Sequence, residues 1–128
     1  MKKPDIETRA DIDRLLAKFY ELAIHDAEIG HHFVELDLEH HLPIIGDFWE
    51  KVLFNNPVYF NNPLVVHQKL HLISPLLPQH FVRWVEIFSG VVDGMFAGET
   101  ADLARSRAAT IADSLDQRLN SGYEIARG

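Results

Sequence analysis

The sequence predicts a single all-α domain, on three observations. Apolar residues recur at intervals of three and four along most of the chain, no stretch alternates apolar and polar residues between turn signals, and Gly, Asn-Pro and Pro breaks separate the periodic segments. With 128 residues the chain has room for one core, so 1–128 is read as one domain.

From Thr8 to about Gly30, Ile12, Leu15, Leu16, Phe19, Leu22 and Ala23 mark one face of a first helix that Gly30 ends. A second helix begins near Leu38, with His41, Ile45, Phe48 and Val52 on one stripe and Pro43 within the first two turns, where a missing N–H does least harm. Two Asn-Asn-Pro triplets make 54–63 a loop. A short helical piece spans 64–72, and Ser74, Pro75 and Pro78 break the chain again. Phe81, Trp84, Val85, Phe88, Val91, Val92 and Met95 then give the strongest helical period, the central core helix over 78–96. Gly98 separates it from a last helix opening near Thr100, with Leu103, Arg107, Ile111, Leu115 and Leu119 on one face.

Composition removes several function classes. The absence of cysteine excludes disulfides, iron–sulfur clusters, thiolate zinc sites and cysteine nucleophiles. Twelve basic against nineteen acidic residues, with no basic cluster, argue against nucleic acid. No apolar run reaches the roughly 20 residues of a membrane helix, and the start of the chain leads into acidic, polar sequence, so a cytoplasmic protein is expected.

Eight histidines leave imidazole as the strongest metal ligand on offer. His67 and His71 are four apart and share a helix face, the spacing of a zinc pair, but no Glu follows the first and no third ligand is in register. Either could instead be the axial ligand of a haem, or both could be surface polar residues. His41 is unusual on an apolar stripe, since a buried imidazole needs a partner. His40 points about 100° away and is read as solvated. Glu28 with His31 and His32 gives half of a di-iron pattern, interrupted by Gly30 and without its second half. His25 and His80 read as surface residues. Tyr20 and Trp84, on the inner faces of two other helices, each carry a polar tip that must find a partner. Together with His41 they can converge as three polar groups in an apolar wall.

The run Phe19-Tyr20, His41-Leu42-Pro43, Phe48-Trp49, Asn62-Pro63-Leu64, His67, Leu70-His71, Pro75-Leu76, His80-Phe81 and Arg83-Trp84 resembles the truncated haemoglobins, specifically their third group. The lack of a Gly-Gly pair fits that group. The resemblance implies a two-over-two helical sandwich holding haem b. It makes Tyr20 the distal tyrosine, His41 the distal histidine, Ile45 the apolar residue one turn on and Trp84 the distal tryptophan, with Phe48 and Phe88 packed against the macrocycle. His71 stands thirteen residues before Trp84, which matches the family's ligand spacing, and is taken as the iron ligand, with His67 as the alternative.

The function this implies is binding of O2, CO, NO or a peroxide at the iron, with Tyr20 and Trp84 donating hydrogen bonds and His41 as gate, proton donor or sixth ligand. Two donors on a ligand that gains negative charge favour retention, so activation or detoxification of a peroxidase-like or dioxygenase-like kind, served by a reductase, is expected over transport. Two rivals are a non-haem metal protein using His67 and His71 and a helical interaction module whose aromatics are only core.

Overall fold

A computed structural model describes residues 2–121. Five helices follow one another: α1 (Arg9–Ala23), α2 (Leu38–Phe54), α3 (Pro63–Ile73), α4 (Pro78–Met95) and α5 (Glu99–Asp116). A 3₁₀ turn, Gly30–Phe33, lies between α1 and α2, and a π turn, Gln117–Ser121, follows α5. No strand occurs among the described residues, and no helix there is long and apolar enough to cross a membrane.

Local chemistry sets most of the helix starts. Thr8 and Asp11 form a reciprocal capping box at α1, Asp37 caps α2, and Asn62 caps α3 just ahead of Pro63. α2 begins at Leu38 as expected. It ends at Asn55, whose φ of 59° is the left-handed C-cap conformation.

The core forms where α1 and α4 meet. Ile12, Leu15, Leu16 and Phe19 of α1 are fully buried against Phe88, Val91 and Val92 of α4 and the small side chains of α5. α1 pairs with α2, α4 pairs with α5, and α1 lies on α4, which gives two layers of two helices. α3 stands apart, for none of its eleven residues is buried.

Three expectations need correction. α1 ends at Ala23, not Gly30. Asp26 turns the chain there, accepting the backbone N–H groups of Glu28 and Ile29 at 3.0 and 3.2 Å, and Gly30 belongs to the 3₁₀ turn. The inner face of α5 is the small-residue stripe Ala101, Ala104, Ala108 and Ala112, which runs on into Leu115 and Leu119. Leu103 and Ile111 are half-buried and Arg107 is exposed. Alanines let α5 approach α4 closely, so packing distance outweighs side-chain hydrophobicity in choosing the face. In α4 only Phe88, Val91 and Val92 are buried, while Phe81, Trp84 and Val85 remain half-exposed.

Two arginines hold the helices that carry the candidate site. Arg9 on α1 donates to Asp47 at 2.7 Å, Glu50 at 2.9 Å and the Pro43 carbonyl at 2.9 Å, all on α2. It passes so near Gly46 that a Cβ there would lie 2.5 Å from its guanidinium. Arg83 on α4 donates Nε and Nη2 to Asp26 at 3.0 and 2.8 Å, tying α4 to the turn after α1.

The N-terminal segment completes α5. Gly98, the N-cap, offers no side chain, and the Asp5 carboxylate instead accepts the N–H groups of Thr100 and Ala101 at 3.0 and 2.8 Å. Gly98 has φ of 140°, and a Cβ on it would lie 2.5 Å from the Asp5 carboxyl group, so only glycine fits. Desolvation pushes the Asp5 pKa up, but the N–H donors outweigh it and hold the group below its usual 3.8. A lowered folded-state value makes the stabilisation complete above the unfolded value and lost as pH falls through the folded one. Asp5→Ala should therefore cost about 1–2 kcal/mol near neutrality and progressively less below pH ~4. Gly98→Ala should cost about 1–3 kcal/mol at every pH. Urea denaturation at pH 7 and pH 3 measures both.

Candidate functional site

Phe88 is the support on which the site is built. It has no exposed surface, and its two faces are covered by Trp49 of α2 at 4.8 Å and 17° and by Trp84 of α4 at 5.3 Å and 12°. Phe19 of α1 meets both Phe88 and Trp84 edge-on at 5.8 Å. Phe88 therefore stands behind the pocket wall. Its two stacked partners among the described residues are both indoles.

Tyr20 and Trp84 flank Phe19. The Tyr20 ring meets Phe19 edge-on at 4.9 Å and Phe33 at 5.5 Å. Burial, with no hydrogen bond to offset it, pushes the Tyr20 phenol far above its ordinary pKa, so it stays a neutral donor. No side-chain polar atom among the described residues is sealed away without a partner, so the free Tyr20 hydroxyl opens onto accessible space. The same holds for the half-buried Trp84, whose indole N–H makes no bond within the described residues.

From α2, Leu42, Ile45 and Phe48 pack half-buried against the same core. His41 is half-buried one turn before Ile45, with His40 exposed beside it at 5.2 Å between rings. Phe48 rests edge-on against Tyr59 at 5.3 Å. Tyr59 is buried, while its neighbour Phe60 is 85% exposed. Sequence reading gave no site role to Tyr59, Trp49 or Phe33, although Trp49 stands in the motif run; the Tyr59-Phe60 pair inside a turn-rich loop was the available hint for Tyr59.

α3 carries the remaining candidates. Its less exposed face is Pro63, Leu64, His67, Leu70, His71 and Ser74, while Val65, Val66, Leu72 and Ile73 face outward. A helix so apolar that buries nothing lacks a partner for its inner face. The two histidines differ in hydrogen bonding. His67 Nδ1 lies 2.7 Å from the Pro63 carbonyl four residues back and must donate to it, which leaves the Nε2 lone pair free. His71 Nδ1 instead accepts the Leu76 N–H at 2.9 Å, which puts the ring proton on Nε2. Burial lowers the His67 pKa despite the opposing bond to Pro63, so the ring is neutral near pH 7.

The two histidines therefore differ in what they leave free: His67 keeps an Nε2 lone pair, and His71 anchors the turn after α3 through Nδ1. As a zinc pair they are incomplete, since no third His or carboxylate joins them among the described residues.

The helix order, the two layers and the detached α3 define a truncated-globin fold. A solved structure titled as a group III truncated hemoglobin from Campylobacter jejuni shares it, with a TM-score of 0.81 over 94% of this chain and 97% of that one, at 24% sequence identity. No protein-family model matches the chain, and no curated protein matches it.

The hydrogen bonding makes a test that needs no bound group. Long-range ¹H–¹⁵N spectra of the imidazoles at pH 7.5 should show His67 as the Nδ1–H tautomer and His71 as the Nε2–H tautomer. His67 should titrate below 6.5, in keeping with its lowered pKa. The opposite tautomers would contradict these two hydrogen bonds.

Proposed function

We propose that the space between α3 and the Tyr20–Trp84 wall takes haem b, with His67 as the iron ligand, and that the protein retains and activates a small oxidant there instead of transporting it. The observation that carries this reading is the His67 Nδ1 bond to the Pro63 carbonyl. It fixes ring orientation and tautomer and raises the basicity of Nε2, as the second partner of a metal-bound histidine does. The fold shared with a truncated hemoglobin and the inner face of α3, which the protein itself leaves uncovered, support it.

Bound at this place, haem supplies an iron with a coordination position open to O2, CO, NO or a peroxide. The chain's own contribution is polarity on one side and dryness on the other. Tyr20 is held neutral by burial and offers its hydroxyl to a ligand that gains negative charge, and Trp84 offers its indole N–H from across Phe19. A hydrogen bond to a charged group contributes about 1.5–3 kcal/mol, so two such donors slow ligand release by orders of magnitude. That suits chemistry on a held ligand, of a peroxidase-like or dioxygenase-like kind, with electrons from a reductase. Leu42, Ile45 and Phe48 keep water out, and His41, half-buried beside them, is placed to gate entry or pass a proton.

Visible spectra of haem-reconstituted protein in the ferric, dithionite-reduced and carbon-monoxide forms should show a Soret band that shifts at each step. His67→Ala should abolish the reduced and carbon-monoxide shifts, and His71→Ala should preserve them. Loss in His71→Ala alone would overturn the ligand assignment, and a spectrum that stays featureless after adding haem would overturn the cofactor. Tyr20→Phe should raise the O2 dissociation rate roughly ten- to hundredfold, read by stopped flow. An unchanged rate would remove Tyr20 from the ligand's surroundings.

A further inference from the structure

We propose that His31, His32 and His80 form a second, non-haem site for one divalent transition cation of the zinc or copper type. The 3₁₀ turn Gly30–Phe33 and the first turn of α4 bring the three imidazoles together, although 47 positions separate His80 from the nearer of the other two. Their ring centroids lie 4.0, 4.7 and 5.4 Å apart, and one ligand atom from each falls within 4.8 Å of the others. They are the one group of three or more such side chains among the described residues. Sequence reading assigned His80 to the surface and His31 and His32 to an unfinished di-iron pattern, so neither reading joined them.

The buried His32 is the prepared member. Its Nε2 lies 3.1 Å from the Pro75 carbonyl, which it can only donate to, so Nδ1 keeps its lone pair and the ring is oriented by a backbone oxygen. His31 is exposed and makes no hydrogen bond within the described residues, so it can turn toward the cation. His80 Nδ1 accepts the Leu77 N–H at 3.0 Å and must release that bond to ligate, which sets the affinity below that of a fully prepared site. Tetrahedral zinc at ~2.1 Å puts its donors roughly 3.3 Å apart, so the cluster tightens by an ångström or more through rotation of the two more exposed rings. Imidazole nitrogen with no thiolate favours Zn²⁺ or Cu²⁺ over Mg²⁺ or Ca²⁺.

The cation would brace the turn at the end of α3. His32 holds Pro75, His71 holds the Leu76 N–H, and Asn120 donates to the Leu76 carbonyl at 2.9 Å.

The test is a competition between the full-length, chelator-stripped protein and a chromophoric chelator for Zn²⁺. One Zn²⁺ per chain is expected, at micromolar affinity or tighter. His31→Ala and His80→Gln should each weaken it about tenfold or more, and His25→Ala should leave it unchanged. Glutamine at position 80 can still accept the Leu77 N–H, so His80→Gln separates loss of a ligand from loss of the helix cap, and circular dichroism confirms the fold. Absence of saturable binding, binding that survives the His31→Ala/His80→Gln double variant, or binding lost in His67→Ala would each overturn the proposal.

Discussion

Phe88, held between the indoles of Trp49 and Trp84, is the interaction on which the rest of the structure depends. Three helices meet at that ring: α2 through Trp49, α4 through Phe88 and Trp84, and α1 through the edge of Phe19. An aromatic pair adds about 0.5–1.5 kcal/mol beyond area burial, and removing a buried phenylalanine costs about 3–5 kcal/mol. The stack also has a direction. It leaves one indole, Trp84, at the edge of the core, beside Phe19 and next to Tyr20. Arg9 fixes α2 against α1, and Arg83 fixes α4 against the turn after α1. These ties hold Tyr20, His41 and Trp84 on helices that cannot slide independently.

α3 is the counterpart of that rigidity. It is capped by Asn62, begun by Pro63 and anchored at its far end by His71 and Asn120, yet buries none of its side chains. Few buried apolar contacts mean a low cost of local opening, so α3 belongs to the least stable part of the domain. A flat apolar ligand between α3 and the wall would supply the surface that α3 lacks, and binding would then stabilise the fold by linkage. The His67 ring on that helix is oriented before anything binds, because the Pro63 carbonyl already sets its tautomer.

Helix periods, turn residues and motif order made most of this fold legible. The start of α2, the Asn-Pro loop and the break before α4 lie where turn and cap chemistry put them. The end of α1 was hidden because Leu22 and Ala23 continue the apolar pattern, while the stop comes from the Asp26 side chain and its partner on α4. The inner face of α5 was misread because leucines outrank alanines on any hydrophobicity scale, and only the approach of α4 reveals that small residues are needed. The periodicity placed Tyr20 on α1, His41, Ile45 and Phe48 on one stripe of α2, and Trp84 on α4, and those are the helices that carry them. The tautomers of His67 and His71 were not legible, since they turn on which backbone group each Nδ1 meets. Phe88 and Trp49 show the same limit, for spacing does not tell a wall residue from the one behind it.

Whether His67 would hold the iron of a bound haem is tested most directly by a chemical rescue. In His67→Gly the imidazole is removed and a space of its size is left, and added imidazole can enter and take its place. The account predicts that reduced, haem-loaded His67→Gly lacks the visible spectrum of the wild-type protein and regains it with millimolar imidazole, whereas His71→Gly shows the wild-type spectrum without it. A His71→Gly protein that needs imidazole, beside a His67→Gly protein that does not, would contradict the account.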